Sequence, residues 1–202
     1  MPEDVDVVPT ADAVPSSKDS FKAIRDWVIV LVVALVVALG IRTYVLQQFY
    51  ISGPSMETTL FQPNRVLVNK LSYHLHGVHR GDVVVFDRVT SNGASIQHDD
   101  LIKRVIGLPG EKISIQKCVV YVNKVALKEP YLDIRDTEQE NLNDRCRQPE
   151  MTELVVPAKQ VFVLGDNRPQ SMDSRMFGPV DKDRIVGRAF VILWPISRWR
   201  WL

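Results

Sequence analysis

"WVIVLVVALVVALGI", residues 27–41, is fifteen consecutive residues without a charge. It has no polar face, which a helix half-buried in a soluble core would show. At 1.5 Å per residue, fifteen residues fall short of a bilayer, which needs about twenty. Continuing to Leu46 reaches that length, provided Arg42 extends its guanidinium to the surface and Trp27 and Tyr44 sit at the interfaces. A cleavable leader is the competing reading, because Ala38 and Gly40 form a small-x-small site. The segment ahead of the run is long for such a leader. The expectation is a single membrane anchor over residues 21–46. Lys18, Lys22 and Arg25 precede it, whereas Arg42 is the one nearby base after it. The positive-inside rule therefore places the N-terminus in the cytoplasm and residues 47–202 outside.

Around that anchor the chain reads as globular. Of its 202 residues, 46% are hydrophobic and 24% charged, which excludes a wholly disordered chain. A formal net charge of +1 argues against a nucleic-acid partner, which calls for a basic surplus. Residues 1–20, rich in Pro, Asp, Ser and Val without period, are expected to be a disordered cytoplasmic tail.

Beyond residue 46, short Val- and Ile-rich runs alternate with Gly, Pro, Asn and Asp: "RVLVNKL", "GDVVVF", "DLIKRVIGLPG", "EKISI", "CVVYVNKVAL", "VFVLGD" and "IVGRAFVILWP". That pattern predicts a mainly β domain of short strands over residues 47–202. Residues 131–151 turn polar and read as an exposed excursion from the sheet. The end, "WPISRWRWL" (194–202), reads either as a final strand with an ordinary tail or as a patch resting on lipid headgroups. Cys118 and Cys146 are too few for a disulfide scaffold; they form one bridge in an oxidising compartment or remain two thiols.

Ser55, in "ISGPSMETTL" (51–60), follows the apolar run inside a small-residue turn. A serine hydroxyl reacts poorly unless a neighbouring base removes its proton. His74, His76 and His79 lie in "YHLHGVHR" at loose spacing for a triad or a metal site, and His98 stands apart; the reading is of solvated loop histidines, with no metal. A lysine serves as base only when neutral, which burial achieves by lowering its pKa from about 10.4. In "DLIKRVIGL", strand alternation puts Lys103 on one face with Leu101 and Val105, and Arg104 on the other with Ile102. Lys103 is thus the extracytoplasmic lysine with the best setting for desolvation, while a rim lysine reaching water is the plainer reading of the run by itself.

Four segments together, "SGPSMETTL" (52–60), "RGDVVVF" (80–86), "DLIKRVIGLPGE" (100–111) and "GDNRPQSMDSRMFGPV" (165–180), resemble the type I signal peptidases, membrane-anchored Ser–Lys proteases. The resemblance implies a signal-peptidase-type β-rich catalytic domain, no cofactor, and cleavage of exported preproteins after small residues of an A-x-A-like site. It implies Ser55 as nucleophile, Lys103 as general base and Ser171 as the hydroxyl orienting the lysine. Asp166, Arg168, Asp173 and Arg175 match family positions that hold the site together. Ile51, Met56, Leu60, Leu101 and Ile102 are the apolar candidates for the substrate pockets. The enzyme would sit in a bacterial plasma membrane or a thylakoid-type one, with exported preproteins and the lipid bilayer as its partners.

The sequence departs from the family pattern in three places. Thr58 replaces a usual Pro, Pro169 and Gln170 replace an acidic residue and Asn, and Gly53 stands where some members carry a serine that donates to the oxyanion. Pro54 has no N–H, so the Ser55 N–H needs a second donor, water or Ser52. The nine residues from Leu46 to Ser55 keep the serine within roughly 30 Å of the end of the span. Two other readings compete: a self-cleaving Ser–Lys repressor-type protease, opposed by the anchor, and an inactive membrane-tethered binding module, opposed by the presence of both reactive side chains.

Overall fold

The computed structural model describes residues 17–91, 93, 95–132 and 145–202. Most of the expected tail and the centre of the polar excursion lie outside those residues. The chain divides into two units, residues 1–42 and 43–202.

In the first unit, helix α1 (Ser17–Gly40) carries the uncharged run and continues into a π-helical turn, Ile41–Val45. Ile24–Val45 is a 22-residue stretch containing an 18-residue window of mean hydropathy 2.6, and its apolar side chains are exposed, with Leu31 64% accessible. A helix of this length and composition satisfies its own backbone hydrogen bonds and fits a membrane anchor. Leu46 is not part of it, contrary to expectation. It opens strand β1 (Leu46–Tyr50), whose backbone groups are taken up by the ladder with β2 (Arg65–Asn69).

The second unit is mainly β. Its further strands are β3 (Val83–Ser91), β4 (Ile96–Gly107), β5 (Lys112–Gln116), β6 (Val119–Val122), β7 (Val125–Ala126), β8 (Met151–Val155), β9 (Gln160–Leu164), β10 (Val180–Asp181), β11 (Ile185–Trp194) and β12 (Arg200–Trp201). Among the described residues two single-turn helices, α2 (Ser72–Leu75) and α3 (Ser174–Phe177), join them. Among the described residues the large sheet runs β1-β2-β11-β3-β4-β9-β10, with β12 paired to β11, and a smaller one runs β7-β6-β5-β8. Every pairing is antiparallel. The seven apolar runs singled out in the sequence all fall on strands. The final strand at 200–201 also forms, and it leaves Trp199 and Trp201 exposed.

The run "VVVF" explains how the large sheet is covered. Val83 and Val85 point into a cluster with Met56, Leu60, Val66, Val68 and Ile192, whereas Val84 and Phe86 point into another with Val105, Val161 and Val163. A strand buried on both faces is apolar at successive positions instead of alternate ones. Strand β9 does likewise, giving Phe162 and Leu164 to a third cluster with Ile106, Ile113 and Val122 under the small sheet.

One register places the site. β9 pairs with β4 from Arg104↔Leu164 onward, so the chain leaves β9 beside Lys103 and the edge of β4 ahead of that point is uncovered by β9. β3 covers the opposite edge, with Lys103 facing Val84 and Leu101 facing Phe86.

Cys118 and Cys146 form a disulfide with a Cα–Cα separation of 5.8 Å, inside the range the bond requires. Of the two readings open from sequence, the bridge is the one realised. The intact protein should therefore weigh two hydrogens less under non-reducing conditions than after reduction. Replacing both cysteines by Ala should lower its unfolding free energy by about 2–4 kcal/mol. Two freely alkylated thiols in the untreated protein would contradict the bridge.

Candidate active site

Ser55 lies in a single 3-10 turn, Pro54–Met56, entered from extended Gly53 and closed by the Glu57 N–H donating to Pro54 O at 3.0 Å. Pro54 fits the first position of the turn, where a missing N–H costs nothing. Met56 and Leu60, both fully buried, pin this segment to the core and leave Ser55 partly exposed beside them. Both belong to the buried core cluster with Val66, Val68 and Ile192, so they fix the turn from beneath.

Lys103 is 3% exposed, and its Nζ lies 2.8 Å from Ser55 Oγ and 2.9 Å from Ile102 O. Burial lowers its pKa to about 8, against the upward pull of the Asp173 and Asp166 carboxylates and with help from the Arg175 guanidinium. At that value roughly a tenth of the amine is neutral at pH 7. The hydrogen bond at 2.8 Å serves either state: the ammonium donates to the hydroxyl, and the neutral amine accepts from it.

The loop after β9 supports both side chains. Asn167 N–H donates to Ser55 O at 3.1 Å and its Nδ2 to Pro54 O at 3.1 Å. Gly165 is where backbone and side chains converge: a Cβ there would sit 2.2 Å from Ser171 Oγ and 2.4 Å from Ser55 O. Asp166 accepts from Arg104 Nε at 2.9 Å and Nη2 at 2.6 Å, and Arg104 also reaches Gly81 O and Thr59 Oγ1. Asp173 accepts from Arg175 through both oxygens at 2.8 Å and from the Gly165 N–H at 3.0 Å. Burial alone would raise the Asp173 carboxyl; the Arg175 pairing and the Gly165 N–H outweigh it and hold it below the usual range. These ion pairs are not the weak, solvated ones a charged turn suggests. Removing one partner of such a buried pair leaves the other charge stranded, typically at a cost of about 3–5 kcal/mol.

Ser171 Oγ is buried in this cluster, and the geometry is less simple than the resemblance implies. Both hydrogen bonds of Lys103 go elsewhere. Ser171 Oγ itself lies near the Asp173 carboxylate without reaching normal hydrogen-bond geometry to any described residue. The departures at 58 and 169–170 find local answers. Thr58 Oγ1 donates to Tyr131 O at 2.8 Å, and Asn167 closes the Pro169–Gln170 turn by accepting from the Gln170 N–H at 3.2 Å.

Two groups escaped the sequence reading. Glu129 and Tyr131, in "KEPYL" (128–132), meet Arg168 and Arg104 at the back of the loop. No local pattern separates that Glu-Pro-Tyr from a surface turn.

Beside Ser55 and Lys103 opens a cleft of about 140 Å³, walled by Phe49, Tyr50, Ile51, Ser52, Gly53, Val85, Asp100, Leu101 and Ile102. Ile51, Leu101 and Ile102 stand at this cleft, and Met56 and Leu60 are not among the residues that wall it. A larger cavity, about 690 Å³ between Ser114 and Glu153, contains none of the reactive side chains. The histidines His74, His76, His79 and His98 are exposed.

A serine hydroxyl facing a dehydrated lysine amine at the end of an apolar cleft, on a mainly β scaffold, is the chemistry of a serine hydrolase with lysine in place of histidine. Residues 24–194 match the family described as signal peptidase, peptidase S26, and the chain belongs to that family of serine peptidases. It is 39% identical over 168 residues to a probable signal peptidase I-2 of Synechocystis, covering 83% of this chain and 72% of that one. It is 34% identical over 186 residues to signal peptidase IB of Staphylococcus aureus, covering 89% and 94%. A crystal structure of a signal peptidase I from Enterococcus faecalis V583 aligns with 56% of this chain and 97% of its own, at 31% identity and a TM-score of 0.43.

Because a methyl group has no room at position 165, a Gly165→Ala variant should be destabilised by about 1–3 kcal/mol and should lose activity in its folded fraction. Wild-type melting temperature together with wild-type turnover would show that the loop and the serine turn are not packed as described.

Proposed function

We infer that this chain is a membrane-anchored serine endopeptidase that removes N-terminal signal peptides from exported preproteins, with Ser55 as nucleophile and Lys103 as general base. The observation that carries the reading is the 2.8 Å contact between Lys103 Nζ and Ser55 Oγ, made by a lysine that is 3% exposed. Family membership supplies the substrate class.

The reaction is acyl transfer. Neutral Lys103 accepts the Ser55 proton as Oγ attacks the carbonyl carbon of the scissile bond, and the resulting ammonium returns the proton to the leaving amine. Water, deprotonated by the same amine, attacks the acyl-enzyme and frees Ser55. The Ser55 N–H is the backbone donor available to the oxyanion, since Pro54 has none, and each such donor is worth about 3 kcal/mol in the transition state. A cleft of about 140 Å³ lined by Ile51, Leu101 and Ile102 suits small apolar side chains, in keeping with an A-x-A-like site. Asp166, Arg168, Asp173 and Arg175 act by holding the 165–168 loop against the serine turn. The family resemblance gives Ser171 the role of orienting the lysine, and its burial in the same cluster is compatible with that role.

Topology follows from charge and redox chemistry. Lys22 and Arg25 lie in α1 ahead of its uncharged run and point to a cytoplasmic N-terminus. The Cys118–Cys146 bridge favours an oxidising, extracytoplasmic setting for the β unit. A bacterial plasma membrane is the favoured location, with a thylakoid-type membrane as the alternative. Tethering enzyme and preprotein to one bilayer raises their effective concentration.

Detergent-solubilised protein should cleave a synthetic preprotein, and Ser55→Ala or Lys103→Ala should each lower kcat about 10⁴-fold or more while leaving the fold intact. Because the base must be neutral and its pKa is about 8, kcat/KM should climb about tenfold per pH unit up to pH 8 and then level off. Retained turnover in Lys103→Ala, or a flat profile between pH 6 and 8, would contradict the assignment.

A further inference from the structure

Behind the Ser55–Lys103 pair, a segment distant in sequence reaches the loop that supports it. Glu129, its side chain 8% exposed, accepts two hydrogen bonds from Arg168, whose side chain is 6% exposed, one of them from Nη1 at 3.0 Å. The Tyr131 hydroxyl donates to the same carboxylate at 2.6 Å, and the Tyr131 ring lies 4.0 Å from the Arg104 guanidinium. The two arginines are those that hold the catalytic loop. Arg168 Nε donates to Gly165 O at 3.1 Å, and Arg104 is bidentate to Asp166.

Each charge in this layer has its complement. Burial by itself would make the Arg168 guanidinium easier to deprotonate; Glu129 outweighs that and holds it fully charged. The Tyr131 ring presents its negative face to Arg104, which leaves the guanidinium edge free for Asp166. From there the chain of contacts is short: Gly165 and Asp166 lead to Asn167, whose N–H and side chain hold Ser55 O and Pro54 O. Thr58, three residues after the serine, donates to Tyr131 O, so the same segment also touches the far side of the nucleophile turn.

We propose that Glu129 and Tyr131 are positioning residues for the reaction, a clamp that sets the distance between Ser55 and Lys103 through Arg168 and Arg104. The proposal rests on the reading of Ser55 and Lys103 as the catalytic pair. Neither clamp residue lines the cleft, so their effect falls on the chemical step and not on substrate binding. A misplacement near 1 Å costs up to about a hundredfold in rate, which sets the scale.

The test compares Glu129→Gln, Tyr131→Phe and Tyr131→Ala with wild type and Ser55→Ala on one synthetic preprotein, with kcat and KM referred to the folded fraction. Glu129→Gln and Tyr131→Ala should lower kcat about ten- to a hundredfold with KM within about twofold of wild type. Tyr131→Phe, which keeps the ring over Arg104, should recover most of the loss seen in Tyr131→Ala. Combining Glu129→Gln with Tyr131→Ala should cost much less than the product of the single effects, because both act through one loop. If Glu129→Gln does not fold, the Tyr131 pair decides the matter. Folded variants with wild-type kcat, a change confined to KM, or equal losses in Tyr131→Phe and Tyr131→Ala would overturn the clamp. Activity in Ser55→Ala would overturn the catalytic reading instead.

Discussion

An ammonium group taken out of water is the constraint on which this structure turns. Lys103 is almost fully buried and, among the described residues, has one side-chain hydrogen-bond partner, the Ser55 hydroxyl, which carries no charge to compensate it. Charged lysine in that position costs free energy, and the protein relieves it by releasing a proton near pH 8, well below the ordinary lysine range. A base that is partly neutral at physiological pH is the chemical return. The Asp173 and Asp166 carboxylates pull the other way, toward the charged amine. Each is matched to a guanidinium, Arg175 and Arg104, and the Arg175 charge itself disfavours the lysine ammonium.

The cost of this arrangement is carried by packing on either side. Met56 and Leu60 fix the serine turn in one apolar cluster, and Val84, Phe86 and Val105 secure β3 and β4 in another. The loop after β9 is held by buried ion pairs, Arg104–Asp166, Arg175–Asp173 and Arg168–Glu129. Such pairs add little net stability over apolar residues of the same volume, but each is costly to break. They favour one geometry over its neighbours, and a hydrogen bond of 2.8 Å between two groups 48 residues apart needs that selectivity.

Local patterns in the sequence exposed the strands because Val and Ile in short punctuated runs have few other places to go. Strand β1 was hidden by its continuity with the apolar run before it, and β8 by the acidic and polar residues around "MTELV". The alternation in "DLIKRVIGL" placed Lys103 on the face of Leu101 and Val105, and the register with β3 agrees. No period or spacing, however, brings residue 103 to residue 55; four motifs in family order carried that expectation. For Met56 and Leu60, residue type reports burial but not what lies on the far side. Glu129 and Tyr131 were invisible because their role depends on two arginines supplied by other segments.

The ionisation of Lys103 can be followed directly, by nuclear magnetic resonance of the folded protein with 15N-labelled lysine side chains, the resonance being assigned through Lys103→Arg. A titration midpoint near pH 8 is the predicted result. A midpoint at pH 10 or above would show an amine still in contact with water, and a serine at position 55 without a base.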